Sequence, residues 1–204
     1  MIFLYRLTHI DNIPHILQYG ITHRNSPNHN PNYRNIGDTS LINVRCDLEI
    51  SIKGHSYLIG DYIPFYFGKR MPMLLEIQTG YNVDRTPPED IVYIAVALDQ
   101  IVKLSKDIIF SDGHARNSYT VFYDYNDICN INCIIDWTAV NAHYWGGEEN
   151  LDIKRRKQAE LLTKGDIPPS AINMFGCYNK TAKERLIAMG INEEMIIITA
   201  ESYF

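Results

Sequence analysis

Ile91-Val92-Tyr93-Ile94-Ala95-Val96-Ala97-Leu98 is an uncharged run, rich in β-branched residues and bounded by Asp90 and Asp99. Such a run reads as a strand buried on both faces, at the centre of a sheet. Outward from it, Ile2–Thr8 (IFLYRLT) alternates apolar and polar residues and reads as a second strand. Met73–Gln78 is expected to be a strand, joined to the central run through a turn holding Gly80, Pro87 and Pro88. Ile108–Phe110 reads as a short strand running into the turn Ser111-Asp112-Gly113, and Ile172–Phe175 and Met195–Thr199 as late strands. Asp11 or Asn12 can cap a helix over Ile13–Tyr19 that Gly20 ends. A helix over Lys180–Met189 has Gly190 as its C-terminal cap. Asp136–Trp145 has weak helical periodicity. Asp152–Thr163 stays open between a helix and a strand beginning near Glu160. Strands and helices mix without a strict βαβ rhythm, so the class is α+β. No repeat or linker divides the chain, so a single domain over 1–204 is expected.

The 204 residues carry 19 Lys+Arg against 24 Asp+Glu, a net charge of −5. With 46% hydrophobic residues, the chain can offset its ordering entropy, which excludes wholesale disorder. The negative balance also argues against a protein that coats nucleic acid by bulk charge. Cys46, Cys129, Cys133 and Cys177 lack the paired spacing of a zinc site, so reduced thiols and no metal are expected. Polar residues interrupt the N-terminal apolar stretch, and no run reaches the ~20 apolar residues of a membrane span. A soluble, cytoplasmic protein is expected.

The motifs of dinucleotide-binding Rossmann units, P-loops, serine-hydrolase elbows and H-E-x-x-H metalloproteases are absent. Several segments stand out instead. Thr8-His9-Ile10-Asp11-Asn12 places polar groups directly after the first strand, as a helix cap or as site residues. The Asn- and Pro-rich stretch from Asn25 to Asn35 resists regular structure and reads as a long loop, a kind that is often functional. Asp61-Tyr62-Ile63-Pro64-Phe65-Tyr66-Phe67-Gly68-Lys69-Arg70-Met71-Pro72-Met73 sets aromatics beside cations. These are core residues and a surface turn, or a groove that stacks bases and holds phosphates. Lys154-Arg155-Arg156-Lys157 follows an acidic, Gly-containing loop at 146–150 and precedes Glu160, which then enters an apolar run. A cation run is ordinarily a solvated face, but a carboxylate entering a buried strand is costly unless paired or working.

Together these segments resemble the DarT family of DNA ADP-ribosyltransferase toxins. The resemblance rests on Tyr5 to Ile13 (YRLTHIDNI), Ile36-Gly37-Asp38 with Leu41, Ile42 and Arg45, the Asp61–Leu74 block, Phe110 to Ala115 (FSDGHA), Lys157-Gln158-Ala159-Glu160 and the terminal Ser202-Tyr203-Phe204. They occur in the family's order over essentially the whole chain. The resemblance implies an ADP-ribosyltransferase-like fold with a split central β-sheet and surrounding helices. It implies transfer of ADP-ribose from NAD, as co-substrate, onto thymine of single-stranded DNA. Guanine, RNA, protein, or a non-catalytic nucleic-acid-binding role are the alternatives. Glu160 corresponds to the catalytic glutamate, and Arg45 to an arginine that contacts NAD and assists deprotonation of the base. An arginine is an unusual proton acceptor, so a separate base is the alternative. His9, Ile10, Asp11, Gly20 and Arg45 would bind NAD, with the Asn-rich loop closing over it. Tyr66, Lys69, Arg70, Met71, Met73, His114, Lys154, Arg155 and Arg156 would bind DNA. The implied partners are single-stranded DNA and a macrodomain antitoxin of the DarG type, with no membrane, for a monomeric enzyme.

Overall fold

The computed structural model describes residues 1–147, 150 and 152–204, so the acidic centre of the expected loop at 146–150 lies outside the described residues. In chain order the strands are β1 (Phe3–His9), β2 (Glu49–Ile52), β3 (His55–Leu58), β4 (Ile63–Tyr66), β5 (Ile91–Ala97), β6 (Ile108–Ser111), β7 (Phe122–Asp124), β8 (Glu160–Thr163), β9 (Met174–Cys177) and β10 (Ile196–Ile198). The helices are α1 (Ile13–Tyr19), α2 (Thr39–Cys46), α3 (Pro72–Thr79), α4 (Leu98–Leu104), α5 (Ile131–Ile134), α6 (Trp137–Asn141), α7 (Ile153–Arg156) and α8 (Lys180–Ala188).

Every residue of β5 is buried, as an uncharged central strand requires. It pairs along its whole length with β1, from Phe3↔Ala97 to His9↔Ile91. The large sheet runs β10-β9-β5-β1-β4-β8-β6-β7, and β2 and β3 form a separate hairpin. All neighbours are antiparallel except the β9–β10 edge. The two halves of the large sheet join at β1 and β4 through one registered pair, Tyr5↔Tyr66. This thin join is the split in the core, and the expected α+β architecture is the one adopted. Tyr66 is in turn opposite Glu160. Directly paired residues share a face, so Tyr5, Tyr66 and Glu160 form a row across the split.

The sheet is packed on both sides. One core holds Leu4, Ile10, Ile13, Phe65, Phe110 and Phe175, with Ala182 and Leu186 of α8. The other holds Leu7, Met71, Leu74, Ile77, Tyr93 and Tyr203. The second core corrects the reading of Met73–Gln78, which is helix α3 and not a strand. Pro72 starts it, Gly80 ends it, and Leu74, Ile77 and Gln78 are buried at helical spacing. Residues 152–163 split into both open readings: α7 first, then β8 starting at Glu160.

The segment after β1 is also corrected. Neither Asp11 nor Asn12 caps α1: the His9 ring accepts from the Asp11 amide, and Asn12 makes no capping bond. Asn12 is buried and clamps the long loop instead. Its Oδ1 accepts from the Arg34 amide at 2.8 Å, and its Nδ2 donates to the Arg34 carbonyl at 2.9 Å and to Thr8 Oγ1 at 3.0 Å. At the loop's start, the His23 amide and the Ser26 hydroxyl both donate to Asp166. Both ends of the Asn-rich loop are therefore tied to the body.

Candidate active site

Arg45 lies in the last turn of α2, whose N-terminus is capped by Asp38 accepting from the Ser40 and Leu41 amides. No residue of α2 is buried, so the helix lies on the body without contributing to a core. Glu160 opens β8 and is 1% exposed. Arg45 Nη1 donates to Glu160 Oε1 at 2.9 Å and Nη2 to Oε2 at 2.8 Å. The Ala115 amide donates to the same Oε1 at 3.3 Å. A carboxylate offers about four acceptor positions, so this arrangement leaves one on Oε2. Burial opposes the charge on Arg45, but the Glu160 carboxylate outweighs it and lifts the guanidinium above its ordinary pKa. The guanidinium is thereby held protonated more firmly than a free arginine, so the neutral form that could take a proton is scarcer.

A cavity of about 500 Å³ opens over Arg45, with Glu160 buried behind it. The long loop and α2 supply Tyr33, Asn35, Asp38, Leu41, Ile42 and Arg45 to its wall. The sheet supplies Arg6, Leu7, Pro64 and Tyr66, and α3 supplies Met73, Glu76 and Ile77. His114, Arg116, Asn117, Lys154, Arg155 and Gln158 close the remaining side. Arg45 and Arg155 are paired with carboxylates behind the wall, Glu160 and Asp112 with Asp152, while Arg6, Arg116 and Lys154 have no ion-pair partner among the described residues and face the lining carboxylates Asp38 and Glu76. The cleft is thus locally cationic in a chain of net charge −5, which suits a phosphate-bearing ligand.

His114 sits in the turn after β6, with its ring Nδ1 accepting from the Arg116 amide at 3.3 Å. Burial lowers its pKa, with Glu160 opposing and Arg45 reinforcing the shift. Gly113 before it is required by close approach: a Cβ there would stand 2.5 Å from Arg155 Nη1 and 3.0 Å from the Arg155 carbonyl. The glycine thereby lets α7 dock on the His114 turn, and the His114 amide donates to the Arg155 carbonyl at 3.0 Å. Tyr66 is held up at about 12 by burial and then by Glu160.

Other expected site residues lie elsewhere. Residues 154–157 are not a free cationic patch. Arg155, 9% exposed, pairs with Asp112 at 2.8 Å and Asp152 at 2.6 Å. Arg156 pairs with Asp136 and Asp152. Lys157 is buried against the Val140 and Ala142 carbonyls. Lys154 alone of the run stays exposed. The run precedes a buried strand, so most of its charges are drawn into holding that strand's entry. Met71 is buried in the α3 core, and the Ile10 side chain is wholly buried, so neither side chain reaches the cleft. Gly20 is absent from the cleft wall. It has φ +84° and lies against Ile167, whose carbonyl oxygen would be 1.9 Å from a Cβ; its glycine requirement is structural. Lys69 and Arg70 line a different cavity.

His9 is buried, and burial lowers its pKa, with Asp11 opposing. Its Nδ1 accepts from the Asp11 amide, which assigns the neutral proton to Nε2, a buried donor without a partner among the described residues. Asp11 pairs with Arg34 at the surface. Arg6, Tyr33, Glu76, Arg116 and Gln158 escaped the sequence reading. Arg6 and Gln158 lie inside the quoted blocks, Tyr33 inside the Asn-rich loop, and Arg116 two residues past the His114 of the quoted turn; Glu76 reaches the cleft only because its segment folds as helix α3. All four cysteines are free thiols, and no cluster of metal-ligating side chains occurs among the described residues.

Comparison with known proteins places this geometry. The family model described as "ssDNA thymidine ADP-ribosyltransferase, DarT" matches residues 5–204. A DNA ADP-ribosyl transferase of Escherichia coli O127:H6 is 31% identical over 187 residues, covering 90% of this chain and 83% of that protein. A DNA ADP-ribosyl transferase–DNA ADP-ribosyl glycohydrolase fusion protein of Thermosipho africanus is 30% identical over 98% of this chain and 49% of its own length. Thermus sp. 2.9 DarT in complex with ADP-ribosylated single-stranded DNA superposes with a TM-score of 0.83 at 24% identity, over 99% of this chain and 96% of that one. Its NAD+ complex gives 0.77 at 24% identity, over 99% and 97%.

Proposed function

The chain belongs to the DarT family of single-stranded DNA ADP-ribosyltransferases, and on that premise we propose how its own residues carry the reaction. The enzyme transfers ADP-ribose from its co-substrate NAD to a base of single-stranded DNA and releases nicotinamide. The family description supports thymine as the acceptor.

The observation that carries the assignment is the two-point contact between Arg45, in the wall of a cationic cleft, and the buried Glu160 behind it. The bond that breaks joins nicotinamide to the ribose C1′, and positive charge grows on the ribose as it breaks. Glu160 lies where a negative charge stabilises that state more than the ground state. Its remaining acceptor position on Oε2 takes the ribose 2′-OH. Arg45 holds the carboxylate ionised and in place, and its cleft-facing edge meets phosphate. Arg116 and Lys154 add charge along the same wall. The thymine nitrogen attacks C1′ and loses its proton to an acceptor other than Arg45, whose pKa Glu160 holds up. Water in the open cleft takes that proton, because the Nδ1 lone pair of His114 is already used by the Arg116 amide, which leaves its Nε2 a donor. The loop clamped by Asn12 closes the NAD side, and His9, buried behind the cleft wall, holds the turn that carries Asn12. Tyr66 and Met73 line the DNA side. A macrodomain antitoxin able to remove the modification is the matching partner, in the cytoplasm.

Incubation with labelled NAD and single-stranded DNA, RNA or protein tests the reading. Label is expected on DNA, and a Glu160→Ala variant is expected to leave none. Label on protein alone would overturn the acceptor, and undiminished labelling by the variant would overturn the role of Glu160.

A further inference from the structure

Residues Ile59–Asp61 form a single helical turn shortly before β4, with Gly60 at its centre. Below, the turn is fastened to the strand that carries Glu160. Ile59 and Tyr62 are buried in one cluster with Leu162 of β8. β4 follows at Ile63 and is registered against β8 as far as Tyr66↔Glu160. Above, the turn meets the C-terminal end of α2, next to Arg45. The Ile59 amide donates to the Leu48 carbonyl at 2.9 Å. A Cβ on Gly60 would stand 2.3 Å from the Cys46 carbonyl oxygen, 2.6 Å from its Cα and 2.8 Å from its carbonyl carbon. All three are backbone atoms, which no change of rotamer moves aside. The φ of Gly60 is not left-handed, so close contact, and not conformation, demands glycine there.

The long loop starts on the same turn. His23 Nδ1 accepts from the Asn25 amide at 3.2 Å, which leaves the proton on Nε2, and Nε2 donates to the Gly60 carbonyl at 2.8 Å. The next residue, Arg24, donates to Cys46 Sγ. Loop base, glycine and the end of α2 are thus stacked in direct contact. α2 buries no side chain of its own, and at its C-terminal end this stack joins the Arg45–Glu160 pair in holding it to the body. We propose that Gly60 is a positioning residue for the transfer reaction: its missing side chain sets the height of α2 over β8, and so the reach of Arg45 to Glu160. This role rests on the parts of Arg45 and Glu160 in the reaction. With alanine at 60, the Cys46 backbone must retreat by about 1 Å to regain an ordinary contact of 3.4 Å. Arg45 moves with it, and hydrogen bonds of 2.9 and 2.8 Å stretched by that much are no longer made.

The test is a double-mutant cycle of Gly60→Ala with Arg45→Lys, read as kcat/KM for transfer from labelled NAD to single-stranded DNA. Alone, Gly60→Ala is expected to lower kcat/KM by about 10²-fold, the scale of a 1 Å misplacement. In the Arg45→Lys background the two-point contact is already gone, and the further loss is expected to stay within about threefold. Equal losses in both backgrounds would mark a glycine that serves the fold alone and would overturn the role, as would full transfer by Gly60→Ala. If circular dichroism shows that Gly60→Ala does not fold, His23→Ala takes its place, since it releases the Gly60 carbonyl and adds no atom. A loss of about tenfold in the parent and within about threefold in the lysine background is then expected, and equal factors again overturn the role. Urea unfolding of the same four proteins separates the reaction from the positioning. If Arg45→Lys transfers as well as the parent, the part of Arg45 in the reaction is wrong. Non-additive unfolding free energies would then still support the setting of α2 by Gly60, and additive ones would overturn it.

Discussion

Arg45 and Glu160, 115 residues apart in the chain, meet oxygen for nitrogen at both ends of the carboxylate, at 2.9 and 2.8 Å. Glu160 is sealed below, while the Arg45 side chain keeps 18% of its surface open to the cleft. Lysine keeps the charge but cannot span both oxygens. Arg45→Lys is therefore expected to lower transfer by roughly 10²-fold, the scale of one lost preorganised donor. Arg45→Ala is expected to cost about 3 kcal/mol in urea unfolding, the low end for a broken buried pair, since water enters from the cleft. A lysine variant as active as the parent would show that the two-point contact does not serve the reaction.

The cation run at 154–157 divides into one surface charge and three structural ones. Arg155→Met removes the partner of Asp112 and Asp152. It is expected to cost about 2 kcal/mol, below the value for a fully buried pair because both carboxylates reach water. Lys154→Ala is expected to leave the unfolding midpoint in place and to reduce the salt slope of DNA binding by about 0.7. Reversed outcomes would return Arg155 to the DNA-binding surface.

Asn12 holds the backbone of Arg34 from both its amide and its carbonyl. Asn12→Ala leaves those groups seeking water and frees the loop that carries Tyr33 and Asn35 into the cleft. We expect a loss of about 2 kcal/mol in stability. The KM for NAD should rise more than kcat falls. Steady-state kinetics that show an unchanged KM would detach this loop from NAD binding.

Acid destabilises this fold through His9 and His114. Burial lowers both below the ordinary value of 6.5. Above 6.5 both states of the chain hold them neutral, and their contribution to stability is intact. As pH falls below 6.5, the unfolded chain takes up protons that the folded rings refuse, so stability drops until the lowered folded pKa values are reached. Thermal unfolding between pH 7 and pH 5 should show this loss, reduced in His114→Asn. An identical profile in that variant would place the proton uptake elsewhere.

Local pattern was enough for the extents of β1, β5, α1 and α8, which are written in contiguous residues, but not for the N-terminal cap of α1, where Asn12 is drawn to the Arg34 backbone instead. It failed at Met73–Gln78, where a short apolar run fits either period and the second core selects a helix. Glu160 and Arg45 were legible as residues, because a carboxylate running into an apolar strand demands a partner. Their contact was not legible, since nothing local joins α2 to β8.

By itself, then, the sequence determined the strands that can be central, the loop that cannot be regular, the family, and the residue types available for chemistry. These follow from neighbours in the chain. Only the tertiary structure decided which charges are free. A cation's role depends on the carboxylates and carbonyls that folding brings to it. Arg155, Arg156 and Lys157 are spent on Asp112, Asp152, Asp136 and two backbone carbonyls. Arg116 and Lys154 are left facing the cleft, and Lys69 and Arg70 a separate hollow. Charge in a sequence is a count, and its electrostatic effect depends on the distances and burial set by the fold.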